Sequence, residues 1–519
     1  MKLKFLLVYL PTLMLAQQID TTAVRFSKYV TANGMKKNLT VLASDEYEGR
    51  ETGQKGQKMS AEYISKYYKD LGIPPLKALK DGYQQTFPLA VFSPQELKIS
   101  YNKKNFVQNT DYYTWANITG DTAFAINEIE FCGYGINTLV YNDYDKVDVK
   151  NKAVMVLTGE PYKADGNSII TQAIEPSIWT SNFRVKQTEA KKQGIKYLII
   201  VDTNITASYT QQEQRIKNGR MSIDTKVTLE YPFVIYISKQ MADEILISSK
   251  QTTKSIATKI SSSANPVHFT QKTNLNINLT QAKQKLSAEN VMAYIEGTDL
   301  KNEVVVLSAH YDHLGIQDGK TYNGADDDGS GTVAIMELAK AFQEAKKQGK
   351  GPRRSMLFLN VSGEEKGLLG SEYYTEHPIF GLENTVCDLN IDMIGRLDEA
   401  HATNANYVYL IGSDKLSSEL HKISEQANKT YTNLKLDYTF NDENDPNRFY
   451  YRSDHYNFAK NNVPVIFYFN GVHEDYHQET DEVQKIDFTK MEKISKLVFF
   501  TAWQIVNQTN RIKIDSSKK

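Results

Sequence analysis

The sequence predicts an α/β protein in which a mostly parallel, mixed β-sheet is flanked by helices and interrupted by an inserted β-rich domain. Three features carry that expectation. From Asn290 onward, apolar runs of strand length alternate with helical stretches, the pattern of a parallel sheet buried on both faces. Between about residues 92 and 287 the texture changes to short β-type runs. At 519 residues the chain also exceeds what one ordinary core serves.

In chain order, Lys2 and Lys4 precede the apolar run 5–15, and Ala16 stands before Gln17. A basic start, a short apolar stretch and a small residue predict a signal peptide over 1–16 and export of the remainder, periplasmic or extracellular. The run is too short for a stable membrane span. Residues 17–91 open the main domain, with apolar residues at helical spacing in 59–68. Residues 92–287 form the expected insertion, with strand-like runs at 128–132, 153–157, 197–201 and 232–237. One helical stretch, 183–193, ends at Gly194, and 248–287 reads as edge strands or connector. Residues 288–519 complete the main domain. Its strands are expected at 291–295, 303–308, 354–361, 389–393, 407–411 and 463–469, and its helices include 333–347 and 490–506.

Composition narrows the function. Basic and acidic residues balance, 61 against 62, for a net charge of -1, and no basic stripe with interleaved aromatics argues for nucleic acid. Two cysteines, Cys132 and Cys387, are neither a disulfide framework nor a Cys-rich zinc site. No Gly-x-Ser-x-Gly elbow and no phosphate-binding glycine loop occurs.

In open parallel sheets the ligand crevice lies beyond the carboxyl ends of the strands. There the sequence places His310-Tyr311-Asp312-His313, Asp326-Asp327-Asp328 leading into a helix, Glu364-Glu365, Asp392, and His473 to His477. Singly, each is ordinary: an Asp triplet before a helix caps it, and paired glutamates are commonly solvated. Jointly, two imidazoles and three carboxylates are the minimum set for two zinc ions about 3.5–4 Å apart, which together activate water and stabilise an oxyanion. A further carboxylate is needed to move the proton, and neighbouring Glu364 and Glu365 suit a division between base and ligand. Asp312, two residues after His310, is expected to hydrogen-bond the imidazole and fix its tautomer.

These residues resemble the co-catalytic two-zinc aminopeptidase family that includes bacterial leucyl aminopeptidase, glutamate carboxypeptidase and the transferrin receptor. The matching stretches are 305–315, 322–331, 362–365, 390–396, 452–458 and 476–481, with 42–50 and 61–64 similar to the opening helices. The resemblance implies a zinc-exopeptidase fold and two zinc ions per chain. His310 and Asp392 would hold one, Glu365 and His477 the other, and Asp327 would bridge, with a cis bond to Asp328. Glu364 would be the general base and Asp312 the orienting group; His313 and His455 are read as pocket residues. The insertion resembles a protease-associated domain through Gly133-Tyr134-Gly135, 141–144, 154–157 with 159–161, and Gly194 ahead of 197–201. The expected function is aminopeptidase action on peptides. The alternatives are a carboxypeptidase or dipeptidase, with Arg396 and Arg452 near the motifs, a glutaminyl-cyclase-like acyltransferase, and a non-catalytic peptide-binding protein. The oligomeric state stays open.

Overall fold

The computed structural model describes residues 19–515 apart from 80–81, 115–120, 183 and 225–231; the expected signal segment lies outside them. The chain divides into two compact units, Met1–Phe87 with Ser287–Lys519, and Pro88–Leu286. The sequence expectation begins the insertion at 92. Strand Gln84–Tyr101 runs through that point without a loop, so no change in local composition marks the cut. Among the described residues no helix is long and apolar enough to cross a membrane.

In the first unit the strands lie in the order Lys435–Asp437, Tyr407–Ile411, Val465–Phe469, Thr385–Ile391, Leu300–His310, Arg354–Val361, then residues 291–295. The four inner strands are mutually parallel, Leu300–His310 pairing with both Arg354–Val361 and Thr385–Ile391, and the latter with Val465–Phe469. Tyr407–Ile411 and residues 291–295 run antiparallel to their inner neighbours. Every residue of Arg354–Val361, Thr385–Ile391 and Val465–Phe469 is buried, which is why these strands read as unbroken apolar runs rather than alternating ones. Helices Gly331–Lys347 and Phe488–Asn507 meet through Phe342, Phe499 and Trp503, whose ring centroids lie 4.8 to 5.8 Å apart. Because the four inner strands point one way, His310, Glu364, Glu365, Asp392 and His477 all follow their carboxyl ends and share one rim.

The second unit also builds parallel pairs, Thr122–Cys132 with Ala153–Leu157, then Tyr197–Asp202 and Phe233–Ser238. Helices Ile205–Asn218, Lys239–Ile245 and Thr253–Ser263 join the expected one at Arg184–Lys192. Thr253–Ser263 falls where edge strands or connector are expected. It buries only Thr253, Ile256 and Ile260, and is started by a capping box between Thr252 and Ser255. So polar a helix hides its period among Ser, Thr and Lys.

Candidate metal centre

The first loop is held open from behind. Arg50 is fully buried, and its guanidinium donates to the carbonyls of Tyr311 (2.6 Å), Leu42 (2.9 Å), Asn323 (2.7 Å) and Gly324 (2.9 Å). It ties the His310 loop to the turn that carries the aspartate triplet. Replacing it with methionine removes all four hydrogen bonds, the Gly324 carbonyl keeping only the N–H of Gly329 at 3.2 Å, so Arg50→Met is expected to cost upward of about 3 kcal/mol. Thermal unfolding that matched the parent would contradict this brace.

The triplet sits in a tight turn, Ala325–Ser330, ahead of helix Gly331–Lys347, and the Asp327–Asp328 peptide bond is cis. The three carboxylates part company there. Asp328 accepts from the backbone of Gly331 and Met393 at 2.8 and 3.1 Å. Asp326 accepts from Gly395 N at 2.6 Å and faces His473 Nε2 at 3.2 Å. Asp481 takes the backbone N–H groups of both Asp326 and Asp327. Asp327 alone turns to the rim.

Two imidazole–carboxylate clusters meet on Asp327. His310 Nε2 lies 3.3 Å from its Oδ1 and 3.8 Å from Asp392 Oδ1. His477 Nε2 lies 3.1 Å from its Oδ2 and 3.3 Å from Glu365 Oε2. A tetrahedral zinc with bonds near 2.0–2.1 Å separates its donors by about 3.3 Å, so both clusters have the spacing of a metal's first ligands. The tautomer fits too. His310 Nδ1 is 3.0 Å from the backbone carbonyl of Asp312, which can only accept, so the proton belongs on Nδ1. That leaves the lone pair on Nε2, a buried atom with no hydrogen-bond partner among the described residues. The donor set therefore fits a pair of metal ions.

Asp312 departs from expectation. Its carbonyl, not its carboxylate, contacts the imidazole; Oδ1 stands 3.8 Å from His310 Nδ1. The carboxylate instead accepts from Thr52 Oγ1 at 2.6 Å and from Glu364 N at 3.2 Å. Asp312 thus couples the His310 loop to the Glu364 loop, and spacing alone could not choose between its two kinds of oxygen. Asp392 is steadied by Ser453 Oγ at 2.7 Å, itself reached by Asn390 Nδ2 at 2.9 Å. Sequence reasoning passed over Arg50, Thr52 and Ser453, although Arg50 and Ser453 lie within the resembling stretches.

Glu364 also reaches the first cluster, its Oε2 3.9 Å from His310 Nε2, close to the 3.8 Å of Asp392. Burial pushes its carboxyl well above the usual carboxylate range; His310 opposes this, and Glu365, Asp392 and Asp454 add to it. Asp327 goes the other way: burial works against ionisation, but His310 and His477 hold it well below that range. Carboxylates driven apart in this way divide the roles of proton carrier and fixed anion.

His313 and His455 fare differently. His313, read as a pocket residue, is buried with Nδ1 2.9 Å from Glu365 Oε1 and 3.9 Å from Asp327 Oδ2. Its donor atom lies within 4.8 Å of oxygens of both carboxylates, as His310 does with Glu364 and Asp392. His455 is absent from both groups. It is buried, stacking on Phe467 at 4.8 Å and meeting Tyr450 edge-on. Burial pushes it down to about 3. The folded chain refuses a proton that the unfolded chain accepts below about pH 6.5. Stability is therefore complete above that pH and falls as pH drops toward 3. In urea titrations at pH 7 and 4.5, His455→Phe is expected to lose less stability than the parent, by about 1.4 kcal/mol for each pH unit below 6.5. Equal losses would contradict the buried neutral ring.

A cavity opens onto the clusters, lined by Asp327, Glu364, Asp392 and His477, by an apolar wall that includes Phe449, Phe467 and Phe469, and by Arg452 and Tyr476. Arg396 is engaged by Asp475 at 2.8 Å.

An α/β sheet carrying two imidazole–carboxylate clusters on one rim has the donor set of a metal-dependent hydrolase. Residues 290–502 match the model of Peptidase family M28. The chain is 30% identical over 229 residues to a probable leucine aminopeptidase of Arthroderma benhamiae, a match covering 42% of this chain and 58% of that protein. A probable zinc metalloprotease of Pyrenophora teres f. teres is 27% identical over 266 residues, covering 42% of this chain and 52% of its own. The chain thus spans little more than half the length of these curated relatives. An aminopeptidase from Aneurinibacillus sp. strain AM-1 shares the fold, with a TM-score of 0.52 at 17% identity, over 95% of this chain and 99% of that one.

Proposed function

We propose that the chain is a two-zinc aminopeptidase that hydrolyses the N-terminal bond of peptide substrates. One observation carries the reading: the two oxygens of Asp327 face different imidazoles, His310 at 3.3 Å and His477 at 3.1 Å, as a bridging carboxylate must. His310 and Asp392 would hold one zinc, and Glu365 and His477 the other. Zinc bound there supplies a water of lowered pKa and a Lewis acid for the substrate carbonyl. Glu364 takes the proton from that water and delivers it to the leaving amine, for which its raised affinity for a proton suits it. Asp312 fixes the Glu364 backbone through its N–H. The apolar wall of the cavity suits a hydrophobic side chain beside the scissile bond. We also propose export of the chain, and a protease-associated role for the second unit, on the sequence features given above.

Carboxypeptidase polarity is the second reading. It is favoured by Arg452, the one Arg or Lys among the described residues that line the cavity, which can pair with a substrate carboxylate. A panel of free, N-blocked and C-amidated peptides, run with metal quantification, separates the two. Free amino termini are expected to be required and C-amidation tolerated. A strong chelator should abolish turnover and zinc restore it; activity indifferent to chelation would defeat the metal assignment.

A further inference from the structure

We infer that His313 is a positioning residue that holds Glu365 by one oxygen, so that the carboxylate presents only its other oxygen to the second metal. The inference rests on the two-metal reading above. The two oxygens of Glu365 are divided between two imidazoles. Oε2 faces His477 at 3.3 Å, beside Asp327 Oδ2, and Oε1 faces His313 Nδ1 at 2.9 Å, a nitrogen that stands 3.9 Å from Asp327 Oδ2. The approach to Oε1 is off-axis for an ideal hydrogen bond, yet neither His313 Nδ1 nor Glu365 Oε1 has an aligned partner among the described residues. Each is the other's nearest recourse.

The backbone around His313 is arranged to keep the ring there. Its N–H meets the Arg50 carbonyl at 3.3 Å, and residue 313 forms a bridge with Glu51. The imidazole lies against Gly324, where a Cβ would come within 2.4 Å of His313 Cγ, at a backbone φ of +51°. Only glycine leaves room for the ring at that place, and its left-handed conformation strains any other residue. His313 and His477 stand 5.9 Å apart at a steep angle, each facing a different oxygen of Glu365. A carboxylate held by one oxygen is confined to one-point coordination; released, it can rotate or bind through both. Groups that orient a metal's ligands in this way commonly govern affinity by 10- to 100-fold.

The test is competitive zinc titration against a chromophoric chelator, with circular dichroism and thermal melting to confirm the fold. His313→Ala is expected to weaken one of two zinc ions by about 10- to 100-fold and leave the other at the parent's affinity. His313→Asn, whose amide nitrogen stands where Nδ1 stands, is expected to recover most of the loss, since it keeps the donor. Two unchanged affinities in a folded His313→Ala chain overturn the inference. So does an asparagine variant as weak as alanine, or a zinc-loaded structure with His313 Nδ1 within about 2.1 Å of the metal, since each makes the ring a ligand or a bystander. If the parent itself takes up fewer than two zinc ions, the two-metal reading fails first, and the failure is visible before any variant is made.

Discussion

Asp327→Ala is expected to reduce the zinc content from two ions per chain toward none and to leave no measurable peptide hydrolysis. Each cluster loses a donor at once, because Oδ1 serves the His310 side and Oδ2 the His477 side. No neighbour can take over. Asp326 and Asp328 are committed to the backbone of Gly395, Gly331 and Met393, and moving either would unpick the turn. The fold itself should persist, since the Arg50 brace acts on carbonyls rather than on Asp327. Metal analysis by mass spectrometry after dialysis, with a circular dichroism spectrum, checks both halves. An alanine variant that kept one ion at full affinity would show that the two clusters do not depend on a shared carboxylate.

Glu364→Gln is expected to separate metal binding from turnover in the opposite sense. The amide is nearly isosteric, and the remaining donors, His310, Asp327, Glu365, Asp392 and His477, are untouched, so two zinc ions should remain. The proton carrier is gone, and kcat is expected to fall by about 10²–10⁴-fold or more with little change in KM. A glutamine variant within a few-fold of the parent would remove Glu364 from the assigned role. Loss of one zinc in the variant would instead make Glu364 a ligand.

Much of the rim was legible because most of the metal-type residues lie at the end of an apolar run or in the loop after it. The run at 354–361 announces Glu364 and Glu365, and the one ending at Ile391 announces Asp392. Parallel strand direction then brings residues far apart in sequence to one edge. The supporting layer was not legible, for a physical reason. Arg50 acts through carbonyls separated from it by up to 274 positions, and a carbonyl leaves no mark in sequence. Asp312 was given the right residue but the wrong oxygen. The helix Thr253–Ser263 escaped because it buries only Thr253, Ile256 and Ile260, too short a stripe to stand out among its Ser, Thr and Lys.

The chain order of the rim has a consequence for synthesis. Reading from the amino end, His310, Asp327 and Asp392 complete the set for one ion well before His477 emerges. On the two-zinc reading, a chain lacking the loop after Val465–Phe469 would keep the whole first set but only Asp327 and Glu365 of the second. The second ion would then be gripped in full only once that loop is in place.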